Sequence, residues 1–221
     1  MNISVIIPVC EFQSDLQKAH EVLIRVLRNL SLEFEVLICD DTASSQSHVV
    51  CKLIKDRGAH TKIFLHEKRL GLGQSLRELF TEAKGDIVLY LNPRALFDYQ
   101  ALAVFLNSVR QCDVIVSSHY KAKEGEKLSL ALGERLYSFF CRFLLRIPIC
   151  EIIPSLMLVR RKVFAVLPLK ASGEDFLTEF LARAHGQGFL VREVNFGFPP
   201  KRRNGFFRFF SALNFRKQMS S

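Results

Sequence analysis

At 221 residues, 49% of them apolar with a mean hydropathy of +0.14, the chain can enclose the core of one α/β domain. Its formal charge of +9 favours a polyanionic partner (nucleic acid, an anionic membrane surface or a phosphorylated ligand) over a plain solvated basic surface. No apolar run reaches the roughly 18–20 residues that cross a bilayer, and the opening segment 3–9 is too short and lacks the basic flank of a signal peptide, so neither a spanning nor a secreted protein is expected.

Short apolar runs at Ile3–Pro8, Glu35–Cys39, Lys62–Leu65, Ile87–Leu91 and Val114–Ser117 alternate with helix-length segments. That is the rhythm of βαβ units and a mostly parallel, twisted sheet flanked by helices. Ser14 followed by Gln17 predicts a capping-box start for a helix reaching about Asn29. Gly71 and Gly73 precede a predicted helix running to about Lys84, with Gly85 as its C-terminal glycine. Six cysteines (Cys10, Cys39, Cys51, Cys112, Cys141, Cys150) form no C-x-x-C pair and show no metal-ligand spacing; several lie in apolar runs as small buried hydrophobes, which suits a reducing cytosol. With no linker and no repeat, residues 1–200 read as one domain and 201–221 as a basic, aromatic tail.

The segment Lys121–Lys127 reads as a charged surface loop. On a helix over 134–146, Arg135, Arg142 and Arg146 share one face and Phe139, Phe140, Phe143 and Leu144 cover much of the rest. That pattern fits a helix in a membrane interface and equally one packed on the core. In the tail, Lys201, Arg202, Arg203, Arg208, Arg216 and Lys217 interleave with phenylalanines. Such mixing serves single-stranded nucleic acid or a membrane surface. No nucleic-acid motif accompanies it, so the membrane surface is favoured and nucleic acid is not expected.

Ligands of open α/β sheets collect beyond the carboxyl ends of the strands. Asp40 and Asp41 end the second predicted strand, where a carboxylate can accept from a base or a ribose hydroxyl, or else cap the turn from Thr42 onward. Gly71 and Gly73 allow close backbone approach to a ligand, or simply a turn. The fourth strand runs into Asn92-Pro93-Arg94.

Taken in order, Ser4-Val5-Ile6-Ile7-Pro8, Glu35-Val36-Leu37-Ile38-Cys39-Asp40-Asp41, His66-Glu67-Lys68-Arg69-Leu70-Gly71-Leu72-Gly73, the stretch Gly173–Gly188 followed by Arg192-Glu193-Val194, and Arg202-Arg203-Asn204-Gly205 resemble the motifs of family 2 glycosyltransferases of the GT-A fold. The resemblance is greatest to the polyprenol-phosphate (dolichol-phosphate mannose synthase) branch. It implies a nucleotide site at Pro8, Glu11, Asp40, Asp41, Gly71, Gly73 and Asn92. It also implies Asp175 or Glu179 as candidate bases on the acceptor side, and His119, Arg202 and Arg208 as phosphate or acceptor contacts. The implied donor is a UDP- or GDP-linked sugar. The implied acceptor is a polyprenyl phosphate at the cytoplasmic face of a membrane, where the chain would be peripheral and could have a membrane-protein partner.

The chain also departs from that pattern. Pro8-Val9-Cys10-Glu11-Phe12 lacks the family's base-stacking tyrosine, its Ser-Arg appears as Ser118-His119, and Pro154-Ser155-Leu156-Met157 lacks a phosphate-binding arginine. The family's Asp-x-Asp, which holds a divalent cation, is here Asn92-Pro93-Arg94. A guanidinium repels Mg²⁺ and Mn²⁺, which want anionic oxygen ligands, so no cofactor is expected and a divalent cation is disfavoured. Two readings follow. In one, the enzyme is metal-independent and Arg94 forks onto the departing pyrophosphate. In the other, the chain is a catalytically inactive GT-A scaffold that binds a membrane, a partner or a nucleotide.

Overall fold

The run Asn2–Val9 is almost continuously buried, because a strand covered on both faces of a parallel sheet needs apolar side chains at every position. In the computed structural model, which describes residues 2–57, 60–93, 112–118 and 154–195 together with positions 102, 105, 106, 143 and 149, it forms the central strand β1. The chain continues through α1 (Leu16–Asn29), β2 (Glu33–Asp40), α2 (Ser45–Arg57), β3 (Thr61–Leu65), α3 (Leu72–Glu82), β4 (Ile87–Leu91), β5 (Val114–Ser118), β6 (Leu156–Arg160), α4 (Arg161–Val166), α5 (Phe176–Gly186) and β7 (Val191–Asn195).

These seven strands form one sheet in the order β3-β2-β1-β4-β6-β5-β7. Pairing is parallel except for β6, which runs antiparallel to both β4 and β5. A single domain with a mostly parallel sheet between helical layers is the architecture that the GT-A resemblance implies. Alternate strand residues feed two cores. Ile6, Leu37, Cys39, Val88 and Tyr90 face α3 and α5, and Val5, Ile7, Val36, Ile38 and Leu89 face α1 and α2. The ladder between β1 and β4 ends at Ile6, two residues before Pro8, so the missing N–H of that proline falls beyond the β4 pairing.

Helix α1 buries Leu16, His20, Leu23 and Leu27, a stripe at helical spacing. It does not start in the expected capping box. Leu16 is its first residue, Asp15 is the N-cap without a side-chain cap bond, and Gln17 Nε2 instead donates to Glu21 Oε1 at 3.0 Å. Gly85 does not close α3 with a left-handed turn either, because the helix ends at Glu82 with Ala83 extended. Gly85 is required for another reason: a Cβ there would stand 2.5 Å from the Ser4 backbone nitrogen of β1.

His20 is the one polar member of the α1 stripe; its Nε2 lies 2.8 Å from Thr61 Oγ1. Burial holds its pKa below the usual 6.5, against the smaller opposing effect of Glu21. The unfolded chain therefore binds the proton more readily than the folded one, and His20 costs stability as pH falls below 6.5. Urea midpoints measured on both sides of pH 6.5 should show this loss, and His20→Gln should reduce it; an unchanged slope in the variant would show that other groups set the acid limb.

Candidate functional site

From β1 the chain winds outward through β2 to β3, then returns across β1 to build β4 on its other side. The switch point lies between β1 and β4, and the crevice beyond their carboxyl ends is the place where such a sheet receives a ligand. Cys10 and Glu11 follow β1 there, Asp41 and Thr42 follow β2, His66 to Gly71 follow β3, and Asn92 follows β4. A groove of about 570 Å³ lined by Arg28, Glu33, Phe34, His60 and Lys84 lies at the opposite, amino edge and is remote from these residues.

The adjacent carboxylates of Asp40 and Asp41 do different jobs because consecutive residues leave the strand in opposite directions. Asp40 is fully enclosed. Its Oδ1 accepts from the Thr42 amide at 3.0 Å and the Thr42 hydroxyl at 2.7 Å, and Cys51 donates to its Oδ2 at 3.6 Å. It thus holds the turn at Thr42, the capping alternative, and presents nothing to a nucleotide. Asp41 is 2% exposed and reaches toward α3. It accepts from the amides of Leu70 (2.7 Å) and Gly71 (2.9 Å) and from His66 Nδ1 (2.8 Å). Asp41 is the clamp that shapes the glycine loop, an indirect role in place of the direct contact expected.

Gly71 has φ 94° and is the N-cap of α3, whereas Gly73 lies in the first turn of that helix rather than before it. Both glycines are forced by close approach. A Cβ on Gly73 would stand 2.5 Å from the Ser172 carbonyl carbon, and one on Gly71 would stand 2.8 Å from the Ser172 oxygen, which also accepts from the Gly73 amide at 2.9 Å. The two segments are thereby sealed together.

Ser172 is held from both sides. Arg77 on α3 donates to the carbonyls of Leu169 (2.5 Å) and Ala171 (2.6 Å) and lies over the Phe176 ring. Glu179 on α5 accepts from the amides of Lys170 (2.9 Å) and Ala171 (2.7 Å) and from Arg183 Nε (2.7 Å). Glu179 is 1% exposed. The expectation of a base there is corrected, since a buried carboxylate carrying three donors is a structural anchor. Asp175 is half-buried at the head of α5 with no side-chain cap bond, close over Gly173.

Arg69 crosses the mouth, with Nη2 donating to the Cys10 carbonyl at 3.0 Å and Nε to the Thr42 carbonyl at 3.3 Å. Burial, then the negative charge of Asp41, pushes the Cys10 thiol up to about 12, and the charges of Arg69, Glu174 and Glu11 also reach it. Among the described residues the mouth therefore combines carboxylates with a guanidinium that spans two strand ends. Sequence reading quoted Arg69 within its motif without giving it a role; its place just before the glycine loop was the available signal.

Beneath the loop, Cys39, His66 and Glu78 bring a sulfur, a nitrogen and an oxygen within 4.8 Å of one another. His66 Nε2 is 2.8 Å from Glu78 Oε2, and its Nδ1 faces Asp41. Burial alone would lower His66, but its hydrogen bonds to Asp41 and Glu78 outweigh this and hold it above its usual range. No spacing in the sequence announces this group, because its members come from β2, the turn after β3, and α3. Cys10, Cys39, Cys51 and Cys112 are all free, and all but Cys10 are buried.

Asn92 is half-buried at the β4 tip, its backbone N–H donating to the Ser155 carbonyl at 2.9 Å. Pro8 is buried in β1, and Glu11 is exposed just beyond it. Arg94, His119, Arg202 and Arg208 lie outside the described residues, as do the charged loop at 121–127, the tail at 201–221 and the segment 134–146 apart from Phe143, which is 76% exposed. No described helix is long and apolar enough to cross a membrane.

Residues 4–167 match the family model described as Glycosyl transferase family 2. Over 215 residues the chain is 21% identical to the glycosyltransferase AglD of Haloferax volcanii, covering 91% of this chain and 34% of that protein, so it spans about a third of its curated relative. Among solved structures it is similar to a glucosyl-3-phosphoglycerate synthase from Mycobacterium tuberculosis in complex with Mn²⁺, UDP and phosphoglyceric acid (TM-score 0.67, 15% identity, 96% of this chain and 73% of that one). It is likewise similar to a mannosyl-3-phosphoglycerate synthase from Rubrobacter xylanophilus (TM-score 0.72, 13% identity, 99% and 72%). The Mycobacterium protein has also been solved with Mg²⁺ and UDP. With cations in those neighbours and a three-donor group here, the expectation of no cofactor is not supported. At the β4 tip, however, the described residues Asn92 and Pro93 offer no carboxylate, and this donor set does not fit a hard divalent cation.

Proposed function

Because the chain belongs to glycosyl transferase family 2, we propose that it moves a hexose from a nucleoside diphosphate sugar to a phosphate-bearing acceptor, with inversion at the anomeric carbon. The observation that carries this reading is the Asp41 clamp, which fixes the glycine loop at the carboxyl edge of the sheet. In the reaction an acceptor phosphate oxygen attacks the anomeric carbon. The bond from that carbon to the diphosphate breaks, and the nucleoside diphosphate leaves with the electron pair. An anionic oxygen needs no base, which agrees with Glu179 being tied up. The developing negative charge requires a preorganised cation; Arg69 at the mouth meets that need, together with Arg94 on the sequence argument.

For the acceptor we infer a polyprenyl phosphate. The basic, phenylalanine-rich tail supports a membrane-surface substrate, and the phosphoglycerate of the structural neighbours has the phosphate in common with it. The test is transfer of radiolabelled hexose from UDP- and GDP-sugars to polyprenyl phosphate in vesicles and, in parallel, to 3-phosphoglycerate. Product on the lipid alone supports the inference, and product on phosphoglycerate alone replaces it.

Arg69→Gln is expected to weaken UDP or GDP binding about tenfold while leaving nucleoside binding unchanged, since a charge-assisted contact to the diphosphate is lost. Calorimetry with diphosphate and nucleoside checks this. Equal losses for both ligands, or affinity that appears only with Mn²⁺, would move the charge from Arg69 to a bound ion. A second reading, a nucleotide-binding scaffold without turnover, is favoured by one feature, the absence of a carboxylate at Asn92 and Pro93. Saturable nucleotide binding with no transfer to either acceptor would select it.

A further inference from the structure

We propose that Cys39, His66 and Glu78 form a zinc site beneath the glycine loop, separate from the sugar-nucleotide cleft and independent of the function proposed above. The sides of the donor triangle are 3.6 Å from Cys39 Sγ to His66 Nε2, 3.7 Å from Cys39 Sγ to Glu78 Oε2, and 2.8 Å from His66 Nε2 to Glu78 Oε2. Zinc holds sulfur at about 2.3 Å and imidazole nitrogen or carboxylate oxygen at about 2.0–2.2 Å, so three donors on one ion stand roughly 3–4 Å apart. The triangle has that size, but the sulfur also stands 3.8 Å from His66 Nδ1, beside the ring, so the ion is accommodated once the Cys39 side chain swings toward Nε2 and His66 parts slightly from Glu78.

The second observation is the outer partner. His66 turns its other nitrogen, Nδ1, to Asp41 Oδ1 at 2.8 Å, the carboxylate–histidine arrangement that orients a metal-bound imidazole and raises its basicity. Burial, reinforced by the charges of Glu78 and Asp41, pushes the Cys39 thiol well up, so it is the ion itself that would displace the thiol proton. Thiolate with imidazole selects zinc over the hard cations of nucleotide chemistry. Cys39 is fully buried, His66 is 11% exposed and Glu78 35% exposed, so the ion would enter from the Glu78 side and keep water at its fourth position.

On binding, the Cys39 thiol and Nε2 of a protonated His66 would release their protons to solvent on the Glu78 side, and the sulfur, that nitrogen and the carboxylate oxygen would hold Zn²⁺ with no change of oxidation state. The ion would join the end of β2, the turn after β3 and the second turn of α3 into one rigid support for Asp41 and the loop it shapes.

The experiment uses full-length protein purified without chelators or metal-affinity resin. Elemental analysis should find one zinc per chain that survives desalting. Replacement by Co²⁺ should give tetrahedral d–d bands and a sulfur-to-cobalt charge-transfer band in the near ultraviolet. Cys39→Ser should abolish the charge-transfer band. Should that buried variant fail to fold, Glu78→Gln at the exposed edge serves instead, and zinc affinity should drop at least tenfold. Asp41→Asn, which leaves all three metal donors in place but weakens the outer partner together with the loop amides it holds, should weaken zinc by about 10–100-fold. A wild-type protein that takes up no zinc, or a charge-transfer band unchanged in Cys39→Ser, overturns the proposal; the second result would place the metal on another thiol. None of these readouts depends on glycosyl transfer.

Discussion

Asp41→Ala is expected to lower the free energy of unfolding by about 3–5 kcal/mol, because one buried carboxylate is removed from three donors at once. The Leu70 and Gly71 amides and His66 Nδ1 would all lose their acceptor in a place that is 2% exposed. Water enters such a site poorly, so each stranded donor carries its own desolvation penalty. The loss of nucleotide binding should be complete, since Gly71 at φ 94° holds its conformation only while its amide is fixed. Urea unfolding followed by circular dichroism gives the stability change, and calorimetry gives the binding. Asp41→Asn keeps one carbonyl oxygen for the loop and should recover part of the stability. A wild-type midpoint for Asp41→Ala would show that the clamp is not what holds the loop.

Glu179→Ala should be about as damaging, again about 3–5 kcal/mol, although Glu179 lies on the far side of the loop it supports. Its removal strands the Lys170 and Ala171 amides and leaves Arg183, 17% exposed, without its carboxylate. The measurement that separates anchoring from proton transfer is the pH profile of the milder Glu179→Gln variant. An anchor leaves the profile's shape unchanged and raises KM as Ser172 loosens against Gly73. A catalytic base removes one limb of the profile and lowers kcat instead.

The strands were legible because parallel, doubly covered β-segments are apolar at every position, and β1 to β5 fall within one or two residues of the runs that predicted them. Strand β6 was missed: Leu156 and Met157 were read only within Pro154–Met157 as a departure from the family's pattern, and an antiparallel strand inserted between two parallel ones leaves no mark in periodicity. That Asp41, the glycine loop and Asn92 gather beyond the carboxyl ends of the strands was legible from the order of the predicted strands. The roles within that group were not. Asp40 and Asp41 look alike in sequence, and only the alternation of the strand sends one toward Cys51 and the other toward His66. Glu179 looked like an acid near an acceptor because nothing local reveals that the amides of residues 170 and 171 point at it. The Cys39–His66–Glu78 group was invisible because its spacing exists only after folding.

The direction of β6 has a consequence for how such proteins diversify. Strand β5 ends at Ser118 and β6 begins at Leu156, and because the two run antiparallel, both of those residues lie on the rim where β1, β2 and β4 also end. The chain therefore leaves the sheet and rejoins it at the edge of the crevice. Ile149, between those two ends, is buried with the residues that face α3 and α5. Substitutions at the two anchor points would reshape the rim alone, whereas a change at Ile149 would also cost packing, so lineages are expected to vary the rim first.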